Sequence, residues 1–210
     1  MNENHRKLCS SLEWADYLRD EVLPALDDLV EWGGELLELG PGPGAATAWL
    51  CRRVKRVVAL EVDAGAADRL AQRYPGSNVD VAVGDGTSLC YSDASFDSVA
   101  TFTMLHHVPT LTLQNKLLTE AFRVLKPGGV LVGSDSLASN GLHDFHADDT
   151  YNPIDPVILL ALLRGIGFGR ITLIIDDVLK FVARKPGELC ETTGDSSECT
   201  RSNGKDGRPK

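Results

Sequence analysis

Apolar and polar positions change their period along the chain, and these changes predict strands that alternate with helices. Short apolar runs predict five strands, at residues 35–39, 56–61, 79–83, 98–103 and 130–134. Stretches with helical spacing of the apolar residues lie between them, at residues 45–53, 64–74 and 111–125. Strands and helices in this alternation are typical of βαβ units and a parallel sheet. The pattern therefore predicts an α/β fold.

Further helices are predicted on both sides of this region. Residues 11–32 have apolar positions at near-helical spacing, and Pro24 predicts that a second helix begins within them. Later in the chain, Asp155 and Pro156 suit the N-cap and the first position of a helix over residues 157–164.

Turn residues punctuate the second half of the chain. The glycine-rich segment 126–129 predicts a turn that stops one helix and leads into the fifth strand. Two β-rich runs follow, at residues 171–175 and 178–183. The Asp176-Asp177 pair between them predicts a tight hairpin at the end of the sheet.

Composition and charge limit the classes of function. A length of 210 residues suits one domain with a sizeable core, and a hydrophobic content of 43% is ordinary for a soluble globular protein. The net charge of −9 argues against a basic surface for nucleic acid, so we expect no nucleic-acid partner.

Cysteines and the chain ends add expectations about the environment. The five cysteines contain no CxxC pair and fit neither a disulfide framework nor a zinc site, so reduced thiols are expected. The polar start of the chain has no signal core, and no apolar stretch reaches the roughly 20 residues of a membrane span. We therefore expect a cytoplasmic protein with no membrane contact. Residues 186–210 are polar and are expected to be a disordered tail.

The most informative segment is the glycine-rich run Glu38–Gly44, which follows a predicted strand and opens a helix-forming stretch. Its three glycines allow main chain to approach a ligand closely, and the helix start presents N–H groups without intrahelical partners. The segment predicts a site for a nucleotide-like cofactor. Two cofactor classes stay open here, because Gly40 to Ala45 also fits the dinucleotide fingerprint G-x-G-x-x-G/A. Both classes also predict an acid such as Glu61, which lies 21 residues after Gly40.

Four motifs in order separate these classes. Residues 38–44 look like the first motif of the class I S-adenosylmethionine-dependent methyltransferases, and residues 59–63 are similar to their acidic motif on the second strand. Residues 84–87, followed by Phe96-Asp97, look like the segment that meets the adenine. Residues 123–131 closely resemble the turn before their fifth strand. The chain resembles this family over about residues 35–183.

The resemblance implies a Rossmann-like, doubly wound sheet of seven strands with the last strand antiparallel, and S-adenosylmethionine as cofactor. Glu38 is expected to face the methionine part, Glu61 to accept the ribose hydroxyls, and Asp85 with the Gly86 N–H to hold the adenine. The expected cofactor-binding residues are Glu38, Leu39, Gly40, Pro41, Gly42, Gly44, Glu61, Val62, Asp85, Gly86, Thr103 and Met104. Asp63 is instead expected to cap the next helix.

The acceptor side is less clearly marked. Methyl transfer from a sulfonium needs mainly a positioned nucleophile, excluded water and, in some reactions, a base. His106 and His107 follow the fourth strand and are the candidates for a catalytic base, with pocket shaping as the alternative. Residues 101–104 replace the Asn/Asp-Pro-Pro-Tyr/Phe motif of relatives that methylate amino groups of DNA, which argues against such substrates.

Two further places are candidates for acceptor binding. Asp135 ends the fifth strand, and His143 and His146 follow it in an acidic segment. Two histidines three apart with nearby carboxylates match no specific ligand spacing, so no metal is expected. The alternatives for this segment are a pocket lining and a solvated loop.

We therefore expect a methyltransferase that acts on a small-molecule acceptor, as a monomer or homodimer. Residues 1–34 are expected to form a helical cap over the pocket, and residues 35–185 the cofactor-binding domain. A non-catalytic cofactor-binding protein of the same fold and a protein or RNA methyltransferase are the alternatives. A nicotinamide-dependent oxidoreductase is disfavoured, because no suitably placed Tyr/Lys pair is present.

Overall fold

The structure is a computed structural model that describes residues 7–187. Seven strands form one sheet: β1 (Glu35–Leu39), β2 (Arg56–Glu61), β3 (Val79–Val83), β4 (Phe96–Phe102), β5 (Leu125–Asp135), β6 (Gly169–Ile175) and β7 (Leu179–Arg184). The first three strands have the bounds that the apolar runs predict.

Helical elements lie before β1 and in most of the connections between strands. They are α1 (Leu12–Tyr17), a π-helical turn (Leu18–Val22), α2 (Leu23–Asp27), α3 (Thr47–Leu50), α4 (Ala64–Ala71), a 3-10 turn (Leu105–His107), α5 (Leu111–Val124), α6 (Asn140–Phe145) and α7 (Pro156–Ile166). As predicted, Asp155 caps α7 by accepting from the main-chain N–H groups of Val157 and Ile158. Gly167 ends that helix in the left-handed conformation that glycine favours, with φ +117°.

The strand order is β3-β2-β1-β4-β5-β7-β6. Neighbours among β1 to β5 pair in parallel, whereas β7 pairs antiparallel with both β5 and β6. β7 therefore runs against all the other strands. This arrangement confirms the predicted α/β class and the antiparallel last strand.

Alternate residues of the strands supply two cores, one on each face of the sheet. In β1, Leu36 packs into the core that contains Trp49 of α3, while Leu37 and Leu39 pack into the core that contains α5 and α7. In β2, Val57 and Ala59 join the first core, and Val58 and Leu60 the second. Strand period two thus separates the faces, and Glu38 and Glu61 share the α3 face.

Pro24 lies in the first turn of α2, so a second α-helix begins there as predicted. Helical dihedral angles continue from α1 through the π-helical turn into α2, so Pro24 does not interrupt the path of the chain. Leu23 donates to the carbonyl of Leu18, five residues earlier, and this wider turn stands where proline could not continue the ordinary α-helical bonds. Leu18, Val22 and Leu26 are buried on the α3 face. That residues 1–34 also cover the acceptor pocket stays a prediction.

The predicted turn at residues 126–129 is instead a bulge inside β5. Leu125 pairs with Phe96 and Val130 with Ser98, so β5 has extra residues between these positions. Gly128 has φ +80° and donates to the carbonyl of Lys185, which ties the bulge to the end of β7. The predicted disordered tail lies, from residue 188 onward, outside the described residues. Within residues 7–187, no helix is long and apolar enough to cross a membrane.

Candidate active site

The glycine loop lies where the sheet reverses its direction of winding. β1 has β2 on one side and β4 on the other, so the connections from their carboxyl ends diverge and open a crevice. The amide of Gly40 donates to the carbonyl of Leu60 at 2.9 Å, which ties the loop to β2. Open α/β sheets bind their ligands at such a switch point.

The three glycines of the loop all have positive φ, with +66° at Gly40, +51° at Gly42 and +85° at Gly44. A Cβ on Gly40 would lie 2.3 Å from Cγ of Met104, and one on Gly44 would lie 2.4 Å from Cδ1 of Leu70. A Cβ on Gly42 would meet nothing within 4 Å. Gly40 and Gly44 are therefore required by protein packing, while the loop at Gly42 borders open space that a ligand can fill.

Glu61 anchors this loop from the end of β2. Its Oε2 accepts from the amide of Gly42 at 3.1 Å, and its Oε1 accepts from the amides of Val62 and Asp63 at 3.0 and 3.1 Å. A carboxylate has about four acceptor positions, so these bonds leave room for one hydroxyl. Binding both ribose hydroxyls would require one main-chain bond to open, and that bidentate role stays a prediction.

Glu38 lies on the same face as Glu61 and is 2% exposed. Burial raises the pKa of Glu38 to about 7; a hydrogen bond from Thr47 opposes the rise, and the nearby charge of Glu61 adds to it. The Thr47 hydroxyl donates to Oε2 of Glu38 at 2.6 Å. Two acids in one buried crevice favour a ligand with positive charge.

Thr103 marks the end of β4 with a strained backbone. Its φ is +51°, which a β-branched residue rarely adopts, and its amide donates to the carbonyl of Ser134 at 2.7 Å. This bond to β5 holds the chain as it turns from β4 toward Met104, whose side chain packs against Gly40. Strain of this kind is concentrated at functional sites.

His106 and Asp135 form a buried pair at the carboxyl ends of β4 and β5. Nδ1 of His106 lies 2.5 Å from Oδ1 of Asp135, and the two side chains are 4% and 0% exposed. The main-chain amides of His106 and Ser136 also donate to this carboxylate, at 3.1 and 2.7 Å. The carboxylate thus fixes both the orientation and the tautomer of the imidazole.

Polar side chains fix the turn that carries these histidines. Nε2 of Gln114 donates to the carbonyls of Leu105 and Asn152, at 2.9 and 2.8 Å. The amide of Asn152 donates in turn to the carbonyl of His106 at 2.7 Å. The segment after β5 is thereby attached to the turn after β4.

His106, His107 and His146 come together with Tyr151. The ring centroids of His106 and His107 are 4.1 Å apart, and His146 lies 5.2 and 5.7 Å from them. Tyr151 stacks on His146 with a centroid distance of 4.4 Å. This side of the crevice is therefore lined with imidazoles and an aromatic ring.

Known proteins match the chain over this region. The family profile described as "Methyltransferase domain" covers residues 37–133. A "Probable S-adenosylmethionine-dependent methyltransferase" of Mycolicibacterium smegmatis is 35% identical over 102 residues, which are 49% of this chain and 38% of the relative. The chain carries a methyltransferase domain of the class I S-adenosylmethionine-dependent kind.

Two further comparisons fit this family. The phthiotriol/phenolphthiotriol dimycocerosates methyltransferase 1 of Mycobacterium ulcerans is 32% identical over 142 residues, which are 64% of this chain and 51% of the relative. A SAM-dependent methyltransferase from Methanosarcina mazei has a TM-score of 0.61 at 22% identity, over 79% of this chain and 98% of that one, and shows the shared fold. The matched segments span 38% to 51% of the length of these two curated relatives. Membership implies S-adenosylmethionine as the cofactor.

The methyltransferase adenine segment is only partly arranged as expected. Asp85 follows β3 and is exposed, and its carboxylate accepts from the amide and hydroxyl of Thr87 at 2.8 and 2.9 Å. The contacts of Asp85 and Gly86 with adenine stay predictions.

Three other predicted cofactor residues differ in exposure. The side chains of Leu39 and Pro41 are buried, so only their main chain can meet a ligand, while Val62 is 72% exposed.

Phe96 and Asp97 do not belong to the adenine site. They begin β4, so they lie at the amino-terminal ends of the parallel strands, whereas the glycine loop lies at their carboxyl ends. Oδ2 of Asp97 accepts from the amides of Gly34 and Glu35, at 2.9 and 2.8 Å, and Lys126 donates to Oδ1 at 2.8 Å. The sequence prediction was wrong here, because adenine-binding residues must lie at the carboxyl ends of the strands.

The structure separates the two histidines predicted after β5. His146 is buried beside His106, whereas the side chain of His143 is 80% exposed. His143 borders a cavity of about 300 Å³, whose lining residues are Ala138, Ser139, Asn140, His143, Tyr151 and Pro153. Asp135 is buried behind His106 and does not line this cavity, and its contact with an acceptor stays a prediction.

Sequence reasoning missed two side chains of this site. Thr47 reaches Glu38 only because α3 folds back on β1, and hydroxyls at helix starts are too common to single it out. Tyr151 joins His146 across the loop after α6. The histidines and the proline around Tyr151 in the sequence (His143, His146 and Pro153) only weakly indicate a pocket. No spacing rule connects His146 to His106.

Proposed function

We propose that this chain transfers a methyl group from S-adenosylmethionine to a small-molecule acceptor. The observation that carries the proposal is the crevice at the switch point, where the buried acids Glu38 and Glu61 lie on one face and the loop at Gly42 borders open space. A sulfonium and an ammonium group suit the two acids, and the ribose suits the fixed carboxylate of Glu61.

The protein's part in this reaction is placement and protection from water. When bound, S-adenosylmethionine supplies the electrophilic methyl group. Glu61 and the loop amides would hold its ribose and methionine parts, and Met104 would keep the reacting end beside the turn after β4. His106 and His107 are the candidates for holding the acceptor or taking its proton, and Asp135 orients the first of them.

A small acceptor is favoured by the shape and charge of the site. The cavity of about 300 Å³ beside Tyr151 is at the small end of ligand pockets. The net charge of −9 disfavours a nucleic-acid surface. The Mycobacterium ulcerans relative is by its name a methyltransferase of phthiotriol and phenolphthiotriol dimycocerosates, which supports a non-macromolecular acceptor without identifying it.

Calorimetric titration with S-adenosylmethionine and S-adenosylhomocysteine tests the cofactor. We expect micromolar binding to the wild type and weaker binding to Glu61→Ala and Asp85→Ala. Asp80→Ala is the control, because Asp80 is an exposed acid on β3, and it should bind as the wild type does. Equal affinity in all three variants would contradict this map of the site.

Labelled S-adenosylmethionine with fractionated extracts tests the acceptor. Label in the small-molecule fraction supports the proposal, whereas label in acid-precipitable material indicates a protein or RNA acceptor. Cofactor binding without transfer to any fraction would favour a non-catalytic binding protein.

A further inference from the structure

Three histidines from distant parts of the chain converge beside the crevice. One ring nitrogen from each of His106, His107 and His146 lies within 4.8 Å of the corresponding atom in the other two. His106 and His146 are 3% and 4% exposed, and His107 is half-buried. His143 takes no part in this cluster. In the sequence, the spacing of His143 and His146 matched no known metal-binding pattern.

Hydrogen bonds set the tautomer of all three rings. Nδ1 of His107 lies 3.2 Å from the carbonyl of Thr150, and Nδ1 of His146 lies 2.6 Å from that of Leu142. A carbonyl only accepts, so Nδ1 carries the proton in both rings. Nδ1 of His106 faces the carboxylate of Asp135 in the same way. In each neutral ring the coordinating lone pair is then on Nε2.

This is the outer-shell pattern of histidines that bind metals. Such histidines donate their other N–H to a carboxylate or a main-chain carbonyl, which fixes the ring and increases its basicity as a ligand. One carboxylate and two carbonyls fill this role here. The carboxylate of Asp135 is fully buried, and within residues 7–187 its ion-pair partner is His106 alone. A cation on the far side of that ring would compensate this buried charge.

We propose that His106, His107 and His146 bind a divalent transition-metal ion through their Nε2 atoms. Imidazole nitrogens suit Zn²⁺, Fe²⁺, Ni²⁺ and Cu²⁺ better than Mg²⁺ or Ca²⁺, which take oxygen ligands. Zn–N distances of about 2.0–2.1 Å in a tetrahedral site place the nitrogens roughly 3.4 Å apart. The ring nitrogens, at most 4.8 Å apart, therefore need to approach one another by up to about 1.4 Å around the ion.

Three protein ligands leave one position open, as in catalytic zinc sites. That position would take water or an oxygen of the acceptor, and this role rests on the proposed function. In the metal-bound form His106 and His107 would be ligands rather than bases, and the ion would supply the polarisation of the bound oxygen.

Metal binding is tested on the full chain without a histidine tag, after removal of metal by a chelator. Titration with Co²⁺ is followed by its visible absorption, and Zn²⁺ is then added in competition. We expect about one ion per chain, bands typical of four-coordinate Co²⁺ with nitrogen ligands, and displacement by Zn²⁺. Absence of stoichiometric binding of either ion, measured by elemental analysis after dialysis, would overturn the proposal.

A matched pair of variants locates the site. His146→Ala should weaken Co²⁺ binding by more than the roughly 10- to 100-fold that loss of an outer-shell partner costs. His143→Ala, three residues away and largely exposed, should bind as wild type does. Equal loss in both variants would assign the binding to the surface and overturn the proposal.

Two measurements keep the test independent of folding and of methyl transfer. His107→Gln removes a half-buried ligand with little change in volume, and circular dichroism checks that each variant is folded. S-adenosylhomocysteine binding is measured on the metal-free chain. Cofactor binding without metal binding overturns the metal site alone, and metal binding without cofactor binding overturns the proposed function alone.

Discussion

Gly40 and Met104 lie so close together that Gly40 has no room for a side chain: a Cβ on it would be 2.3 Å from Cγ of Met104. The contact joins the loop after β1 to the turn after β4, two segments that the sequence separates by more than sixty residues. The glycine loop and the turn that leads to His106 and His107 are therefore in direct packing contact.

Gly40→Ala should destabilise the protein and weaken cofactor binding. The substitution places a Cβ at φ +66°, which costs about 1–2 kcal/mol, and forces Met104 away, with roughly 1–3 kcal/mol more for the strain. Denaturant unfolding gives the change in free energy, and calorimetry with S-adenosylhomocysteine gives the change in affinity.

Gly76→Ala is the matched control for that experiment. Gly76 has φ +67°, but a Cβ there would meet nothing within 4 Å. We expect only the backbone cost, about 1–2 kcal/mol, and unchanged cofactor affinity. If the two variants lost equal stability and equal affinity, the contact with Met104 would have no importance.

Glu38→Gln should stabilise the protein, and more at pH 8 than at pH 4. The carboxyl of Glu38 has its pKa raised from 4.5 to about 7 by burial, so the folded state keeps a proton that the unfolded state loses. Stability therefore falls as pH rises from about 4.5 to 7 and is constant above. At about 1.4 kcal/mol per pKa unit, the substitution removes a penalty of up to roughly 3 kcal/mol at pH 8.

Thermal unfolding of wild type and Glu38→Gln at both pH values measures this effect. Glutamine keeps an oxygen that can accept from Thr47, so the comparison isolates the charge. The same substitution should weaken binding of S-adenosylmethionine, because a neutral amide attracts a cation less than a carboxylate does. An equal shift in melting temperature at both pH values would show that the pKa of Glu38 is not raised.

The sequence predicts the fold better than the site, and particular residues show why. Strand bounds follow from local apolar runs, so β1, β2 and β3 were predicted residue by residue. The glycine loop could also be placed, because the motif is contiguous and its backbone needs positive φ at Gly40 and Gly44.

The histidine cluster depends on contacts that local patterns do not contain. His146 meets His106 through a loop whose path is fixed by Gln114 and Asn152, and no periodicity encodes that path. The residues before Pro24 show a related limit, because the proline predicted the start of α2 but not the π-helical turn that joins it to α1. Such features depend on the packing of distant segments.

Glu61→Ala should weaken cofactor binding by about 1–3 kcal/mol, because a buried charged acceptor for the ribose is lost. The sharpest measurement compares S-adenosylhomocysteine with its 2′-deoxy and 3′-deoxy analogues. Wild type should discriminate against at least one analogue, and Glu61→Ala should not. Discrimination that survives in the variant would place the ribose elsewhere.

Asp63→Ala, two residues further on, is the control for that prediction. Asp63 caps α4, as predicted from the sequence, by accepting from the amide of Ala66 at 2.6 Å. Its loss should lower the free energy of unfolding by about 0.5–2 kcal/mol and leave cofactor affinity unchanged.

Asp97→Ala should destabilise the protein at neutral pH without changing the affinity for the cofactor. Asp97 lies at the amino-terminal end of β4, away from the glycine loop. Burial by itself would raise the pKa of Asp97, but hydrogen bonds from Lys126 and from the amides of Glu35 and Gly34 outweigh it and lower the pKa below 3.8. Loss of these bonds should cost about 1–3 kcal/mol. A depressed pKa contributes stability above the ordinary value, and that contribution is lost as pH falls through the folded value.

The difference between wild type and Asp97→Ala should therefore be constant from pH 5 to 8 and shrink below pH 4, as measured by urea unfolding across that range. Asp80→Ala removes an acid whose pair with Arg56 is exposed, with side chains 61% and 50% accessible, and should change stability by no more than about 1 kcal/mol. If Asp97→Ala cost no more stability than Asp80→Ala, the amides of Gly34 and Glu35 would not depend on the Asp97 carboxylate. If Asp97→Ala lost cofactor affinity while its stability stayed intact, Asp97 would have to be assigned to the cofactor site after all.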